Sequence, residues 1–442
     1  MASRSHIVLV PGFGGFDALG KIEYYAGVTS VYQQWNRRRK TGRQAVLHYF
    51  DNLPTAAVVT RAARLRSYLA KRMARGEILD DDNVVLAGHS TGGLDIRQLV
   101  WDLHDRENPE ATADGGIRLK RADIRRRVSR VVFLSSPHWG TNIADWVRSH
   151  SCLRKAAVAE MRAAVAGSQV CLLDQIENRA VGAAACLTGA DVLRAAQDAL
   201  TEADERYGEP GPLRTADAHE AASELALYLR DMASDFHAID DLTSRRPESG
   251  PASPAHFNSE EREREREWWT DPPIGTLSYA TVAKSPFPFA PGVPAPVWDL
   301  ANPCTYPEIS KDPRLSADTD MFYRLCYRAC AGGPFELPAD GGEVTRRMNG
   351  APESPLEPWD NDGIVNTASM LWPASENVLV AADHLDIVGH YKAVKSGPGG
   401  SGGRQGREYR SYDLLKSVPR FSDRAFQKVW TEVFDFAVGE KG

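Results

Sequence analysis

The chain has 442 residues, enough for one large domain or roughly two to three of ordinary size. Its hydrophobic fraction of 42% and charged fraction of 25% are those of a soluble globular protein. The net charge of −6 argues against a nucleic-acid binder, because such proteins are usually basic overall, and we predict no nucleic-acid partner.

The N-terminal segment begins with a short apolar run, Ile7 to Val10, that ends at Pro11-Gly12. This run is too short for a signal-peptide core or a membrane span, and no other segment reaches the ~18 apolar residues of a transmembrane helix. We therefore expect a cytoplasmic protein if Met1 is the natural start, and a secreted protein if a signal segment has been removed.

The first third of the chain alternates between strand and helix patterns. The apolar strands are predicted at 7–10, 44–50, 83–87 and 128–134, and the helices at 25–35, 56–74 and 91–103. Uninterrupted apolar strands separated by helices are typical of a parallel sheet covered on both faces, so the predicted class is α/β.

The pattern then changes. Residues 142–257 are rich in Ala, Arg and Glu at helical spacing, and 259–268 predicts a charge-alternating, solvent-exposed helix. Strand character returns at 274–283 and 378–381, a short helix is predicted at 321–329, a flexible loop at 396–406 and an amphipathic closing helix at 420–438. We predict a core of 1–141 and 274–442, interrupted by a helical cap or lid at 142–273.

The strongest chemical signal is the stretch Gly88-His89-Ser90-Thr91-Gly92, which has the form G-x-S-x-G. It follows a predicted buried strand and precedes a predicted helix, the context in which this motif presents a nucleophilic serine. We therefore predict Ser90 as nucleophile, with a plain structural turn as the alternative.

A glycine-rich loop, Pro11 to Gly15, follows the first strand and can bring a backbone N–H into the same site. A phosphate-binding loop is the alternative, but the Gly-Lys-Ser/Thr ending is missing. We predict the N–H groups of Phe13 and Thr91 as the oxyanion hole.

Together these elements resemble the bacterial true lipases of the α/β-hydrolase superfamily. Further matching segments are 16–25, 135–141, 362–370 and 383–386. The resemblance therefore covers about residues 6–148 and, more patchily, 274–391. It implies an α/β-hydrolase fold, a mostly parallel sheet covered by helices. The family usually has His-Gly where this chain has Pro11-Gly12, which leaves open how the oxyanion loop is anchored.

The resemblance also implies the order serine, acid, histidine. Asp362 matches the family's Asn-Asp-Gly position, with Asp360 as the alternative acid, and His384 matches the histidine that follows the last strand. His390 is a weaker candidate base. His89 is expected to point away from the site and pack against the sheet, and His138 to line the cleft without a triad role.

Asp386, two residues after His384, matches the family's structural calcium ligand. The alternative is a plain loop carboxylate that binds no metal. Calcium needs six to eight oxygen ligands, and the only companions suggested are Asp340, weakly aligned, and position 390, which here is His. No cofactor is predicted to be required, and no zinc spacing is present. The six cysteines predict buried thiols, with one or two disulfides as the alternative in an oxidising compartment.

These residues predict a serine carboxylic ester hydrolase of lipase or esterase type, acting on a small-molecule or lipid ester. A moving lid implies transient contact with a lipid interface, whereas a fixed cap implies an esterase. The same triad serves polyester or amide hydrolysis and acyl transfer, and the rival from another class is a non-catalytic hydrolase fold used for binding. No protein partner is evident from the sequence.

Overall fold

The computed structural model describes residues 3–15, 18–19, 22–39, 44–104, 110–113, 117–149, 235–245, 253–270, 273–285, 321–372, 374, 376–391, 415, 417 and 421–439. The predicted loop at 396–406 and most of the predicted insertion lie outside these residues. Among the residues described, no helix is long and apolar enough to span a membrane.

The centre of the fold is a parallel sheet of seven strands. In spatial order these are β10 (Arg346–Met348), β11 (Glu376–Ala381), β9 (Gly275–Val282), β8 (Val128–Leu134), β5 (Asn83–His89), β1 (Arg4–Val10) and β4 (Gln44–Tyr49). Every neighbouring pair is parallel. The carboxyl ends of all seven strands therefore meet at one edge of the sheet, where open α/β sheets bind ligands.

Two short antiparallel ribbons complete the strands. They are β2 (Ala18–Leu19) with β3 (Ile22–Glu23), and β6 (Glu110–Ala113) with β7 (Ile117–Lys120). Neither ribbon was predicted, nor was the edge strand β10, because segments of two to four residues are too short to show an alternating pattern.

Helices cover both faces of the sheet. In the part of the chain that the structure describes, the helices are α1 (Val28–Arg38), α2 (Val58–Ala74), α3 (Thr91–His104), α4 (Arg121–Arg127), α5 (Asn142–Ser149), α6 (Ala238–Asp241), α7 (Ser259–Thr270), α8 (Met321–Cys330) and α9 (Asp423–Val438).

The two faces follow from the side-chain alternation of each strand. On β1, Ile7 and Leu9 face the cluster that contains α1 and α9, whereas Val8 and Val10 face the cluster that contains α2, α3 and α4. All four side chains are fully buried. The structure thus confirms the predicted fold class: an α/β-hydrolase fold with a parallel sheet covered on both faces.

Helix α7 is solvent-exposed over most of its surface, as its charge alternation predicted, but one face is buried. Glu265 and Trp269, one turn apart, lie against the core. Glu265 accepts two hydrogen bonds, of 2.8 and 2.7 Å, from the fully buried Arg97 on α3. The pairing of the two charges makes burial of this face tolerable.

The described part of the predicted insertion consists of α5, α6, α7 and a 3₁₀ turn at Pro254–His256. Its boundaries and its role as a cap remain predictions. The two described cysteines, Cys326 and Cys330, are buried thiols outside any disulfide, and the other four lie outside the described residues.

Candidate active site

Ser90 occupies a sharp turn between β5 and α3. Its backbone φ is 54°, a left-handed value that non-glycine residues seldom adopt and that the surrounding structure must hold in place. The Ser90 N–H donates to the carbonyl of Leu134 at 2.8 Å, which fixes the turn to β8. A β-carbon at Gly92 would lie 2.3 Å from the Val10 carbonyl oxygen, so this close approach of chains requires glycine.

Asp362 lies fully buried in the segment between β10 and β11, and its carboxylate accepts four hydrogen bonds. One oxygen, Oδ1, accepts the N–H groups of Ile364 at 3.0 Å and Val365 at 2.8 Å. The other, Oδ2, accepts the Thr281 hydroxyl at 2.6 Å and His384 Nδ1–H at 2.8 Å. Four donors on one carboxylate fix its orientation toward His384.

Asp360, the alternative acid, has a different role. Its Oδ2 accepts the N–H of Glu357 at 2.8 Å, so it caps a turn, and burial raises its pKa above the usual value. No hydrogen bond or ion pair to His384 is found for it, and the described structure brings only Asp362 to that imidazole.

His384 is the third residue beyond β11, where the strand ends at the carboxyl edge of the sheet. Its own N–H donates to the Asp362 carbonyl at 3.0 Å, in addition to the side-chain bond through Nδ1. Because Nδ1 carries the proton toward the carboxylate, Nε2 is left as the basic nitrogen.

No hydrogen bond joins Ser90 Oγ to His384 Nε2 within the described residues. Catalytic hydrogen bonds are often long or poorly aligned before substrate binds. The absence of this bond is therefore compatible with Ser90 as nucleophile and His384 as base. The structure therefore brings the predicted acid and base together, and places the predicted nucleophile on the elbow at the same edge of the sheet.

The oxyanion loop lies directly against the elbow. A β-carbon added to Gly12 would lie 2.6 Å from Ser90 Cβ. Among the described residues, no protein acceptor is found for the N–H groups of Phe13 and Thr91, and Thr91 is the first residue of α3, where helical N–H groups have no internal partner. Both groups are thus suited to bind a ligand oxygen.

A buried ion pair anchors this loop in place of the histidine that the resemblance leads one to expect. Arg61 donates to the carbonyls of Pro11 at 2.7 Å and Gly12 at 3.2 Å. Its guanidinium also pairs with Asp95 at 2.8 Å, with both side chains fully buried. Burial raises the pKa of Asp95 to about 6, although Arg61 and Asn52 act in the opposite direction. The sequence could have revealed this pair, because Arg61 and Asp95 are charged residues among the apolar, core-facing positions of α2 and α3.

His89 departs from the expectation that it only packs against the sheet. Its ring centroid lies 4.7 Å from that of His384, and its Nε2–H donates to the His384 carbonyl at 2.8 Å. Its Nδ1 lies 2.6 Å from the Tyr24 hydroxyl. A fully buried imidazole needs polar partners, and here Tyr24 and the histidine loop supply them.

The other two histidines are not in contact with Asp362. His390 donates from Nε2 to the Tyr24 carbonyl at 2.9 Å. His138 is fully buried between the rings of Phe133, 4.6 Å away, and Trp372, 5.0 Å away, and burial lowers its pKa well below the usual value. His138 therefore belongs to the aromatic core and not to the cleft.

The described residues around Asp386 do not fit a calcium ion. Its Oδ2 accepts the N–H of Asp383 at 2.9 Å, which closes the turn before the 3₁₀ helix Asp386–Val388. The suggested companion Asp340 is instead paired with Arg262 at 2.7 Å and Arg266 at 3.3 Å. Among the residues described, no group of three His, Cys, Asp or Glu side chains is arranged to hold a metal ion.

No family model and no curated protein matches the chain. Among solved structures, the mature form of a Bacillus licheniformis lipase is similar at 13% identity, covering 87% of each chain with a TM-score of 0.34. A metagenomic carboxyl esterase is similar at 13% identity, covering 99% of this chain and 76% of that one with a TM-score of 0.36.

The match to the propeptide form of the Bacillus licheniformis lipase, at 19% identity and a TM-score of 0.23, covers 33% of this chain and only 25% of that one. All of these likenesses are remote. The parallel sheet and the strand–turn–helix elbow establish the α/β-hydrolase fold, and membership among the true lipases in particular stays a prediction.

Proposed function

We propose that this protein is a serine carboxylic ester hydrolase that works through an acyl-enzyme, with Ser90, His384 and Asp362 as its triad. The observation that supports this most is the pair of hydrogen bonds between Asp362 and His384, formed beside a serine elbow with a strained φ. Strained backbone conformations that the surrounding structure holds in place cluster at functional sites, and the positive φ of Ser90 is of this kind.

In the acylation step, Ser90 Oγ attacks the ester carbonyl carbon while His384 Nε2 takes the hydroxyl proton. Asp362 holds the imidazole in the tautomer that leaves Nε2 basic, and stabilises the imidazolium. The N–H groups of Phe13 and Thr91 bind the oxyanion, a contribution of ~3 kcal/mol per donor in comparable sites. The imidazolium then gives its proton to the leaving alkoxide, and the alcohol departs.

In the deacylation step, water attacks the acyl-enzyme carbonyl and His384 Nε2 takes its proton. The tetrahedral intermediate collapses, the proton returns to Ser90 Oγ, and the carboxylic acid is released. All acid–base groups come from the chain itself, so no cofactor takes part in the proposed sequence.

The test is hydrolysis of p-nitrophenyl esters from acetate to palmitate by the wild type, Ser90→Ala and the control Ser67→Ala, which removes a half-buried hydroxyl on α2. We expect Ser90→Ala to lose at least ~10³-fold in kcat, since it removes the nucleophile, and Ser67→Ala to match the wild type. Retained activity in Ser90→Ala would overturn the proposal.

The chain-length optimum then separates an esterase from a lipase. A rate that rises above the solubility limit of the ester indicates a moving lid and contact with a lipid interface, whereas a flat rate indicates a fixed cap. Anilide substrates and added alcohols, assayed in parallel, measure amide hydrolysis and acyl transfer by the same three residues.

A further inference from the structure

Tyr24 and His89 form a continuous chain of hydrogen bonds between the oxyanion loop and the loop of His384. The Gly12 N–H donates to the Tyr24 oxygen at 2.9 Å, and the Tyr24 oxygen lies 2.6 Å from His89 Nδ1. His89 Nε2 lies 2.8 Å from the His384 carbonyl oxygen. One end of the chain therefore adjoins Phe13, and the other is the backbone of His384 itself.

The direction of each bond follows from its partners. The His384 carbonyl can only accept, so His89 carries its proton on Nε2 and its Nδ1 is an acceptor. The Tyr24 hydroxyl therefore donates to His89 Nδ1 and accepts from Gly12. With a neutral imidazole, these directions are the only ones that satisfy all three hydrogen bonds.

The surroundings keep both side chains neutral. His89 is fully buried and Tyr24 is 6% exposed. Burial lowers the pKa of His89 well below its usual value and raises that of Tyr24. Neutral Tyr24 and neutral His89 are the forms that the bond directions require.

A second contact ties Tyr24 to the histidine loop, the segment 382–391 that follows β11. His390, at the end of the histidine loop, donates from Nε2 to the Tyr24 carbonyl at 2.9 Å. Tyr24 is thus held to this loop through its backbone as well as through its hydroxyl.

We infer that Tyr24 and His89 are positioning residues that hold the oxyanion loop and His384 in one fixed relation to each other. This inference rests on the proposed function. In that reaction the Phe13 N–H and His384 Nε2 act on the same ester group, so a shift of either loop against the other weakens both acylation and deacylation.

The test compares Tyr24→Phe, which removes one oxygen, and His89→Phe, which removes both ring nitrogens, with His89→Gln, whose amide N–H can donate to the His384 carbonyl. Matched controls are Tyr32→Phe, which removes a hydroxyl bonded to the Ala45 carbonyl at 2.8 Å, and His104→Phe, which removes a buried imidazole at the end of α3. All are assayed on a soluble p-nitrophenyl ester, with thermal unfolding recorded for each.

We expect Tyr24→Phe and His89→Phe to lower kcat about tenfold with KM changed less than about twofold, because both chemical steps are slowed and binding is not. His89→Gln recovers at least about half of this loss on a logarithmic scale, and both controls match the wild type. In the His89→Phe background, Tyr24→Phe costs less than about threefold, because the chain is already broken.

Three results would overturn the inference. One is a kcat within about twofold of wild type for both Tyr24→Phe and His89→Phe. Another is His89→Gln performing no better than His89→Phe, which assigns His89 to packing alone. The third is a loss that appears in KM and not in kcat. If His89→Phe fails to fold, Tyr24→Phe and His89→Gln decide the matter. Ser90→Ala, assayed alongside, separates this failure from failure of the proposed function, because only the latter leaves Ser90→Ala active.

Discussion

Thr281, the next-to-last residue of β9, supplies the donor to Asp362 that the sequence did not reveal. Its hydroxyl is fully buried and donates to Asp362 Oδ2 at 2.6 Å, and the Ser135 hydroxyl, 2.8 Å away, donates to it in turn. Thr281→Val keeps the shape of the side chain and removes these two bonds together with a longer contact to Met370 Sδ at 3.3 Å, so its effect measures mainly the support of the acid.

The expected magnitude follows from the two bonds. A hydrogen bond to a charged acceptor contributes about 1.5–3 kcal/mol, and an orphaned buried hydroxyl costs about 1–3 kcal/mol. We therefore expect Thr281→Val to lower the free energy of unfolding by about 2.5–6 kcal/mol. Asp362 keeps three of its four donors, including His384, so the proposed pairing of acid and base is retained.

The assay is urea unfolding followed by tryptophan fluorescence, with Thr60→Val on the exposed side of α2 as control. The double variant Thr281→Val/Ser135→Ala, which removes the orphaned hydroxyl, is expected to regain about 1 kcal/mol. A loss below about 1 kcal/mol in Thr281→Val, or no gain in the double variant, would refute the reasoning.

Three further outcomes are expected. Asp362→Asn lowers kcat at least ~10³-fold because an amide can hold His384 in the wrong tautomer, whereas Asp360→Asn stays within about threefold of wild type. The stability of the protein falls as the pH drops below about 6.5, partly through His48, whose pKa burial lowers to about 3. In this range the imidazole of His48 is protonated in the unfolded state but not in the folded state, so the free energy of unfolding falls by about 1.4 kcal/mol per pH unit. His48→Gln therefore flattens the dependence of unfolding free energy on pH between pH ~5.5 and ~4.5. Excess EDTA leaves both kcat and the melting temperature unchanged, because the Asp386 carboxylate binds the Asp383 N–H.

Each of these has a contrary result. Equal losses in the two asparagine variants would remove the distinction between the carboxylates. A slope for His48→Gln identical to that of the wild type would mean that this imidazole titrates alike in the folded and unfolded chain. A melting temperature that falls in EDTA and returns with added calcium would place a metal ion at the histidine loop after all.

The sheet could be predicted in large part because its strands carry local signals. The segments 83–87 and 128–134 are uninterrupted apolar runs, and the structure has strands at Asn83–His89 and Val128–Leu134. The elbow was predicted for the same reason: strand, G-x-S-x-G and helix follow one another within a few residues. Where the local pattern was incomplete, as on the buried face of α7, the deciding contact was a distant one, from Glu265 to Arg97.

The candidate acid and base were predicted through resemblance, but their surroundings were not. Asp360 and Asp362 stand two positions apart in similar sequence, and only folding shows that the second carboxylate meets Thr281 and His384. Thr281 lies 81 positions from Asp362, and His89 lies 295 positions from His384. Contacts between residues so far apart leave no local sequence pattern from which they could be predicted.

By itself, the sequence determined the strand–helix alternation, the serine elbow and the glycine-rich loop, because each is a pattern of neighbouring residues that restricts the backbone locally. Only the tertiary structure decided which buried polar groups complete the site: Arg61 with Asp95 under the oxyanion loop, Thr281 behind Asp362, and Tyr24 with His89 beside His384. Such groups are placed by the need of every buried donor and acceptor for a partner, and that partner comes from whichever part of the chain the fold brings near.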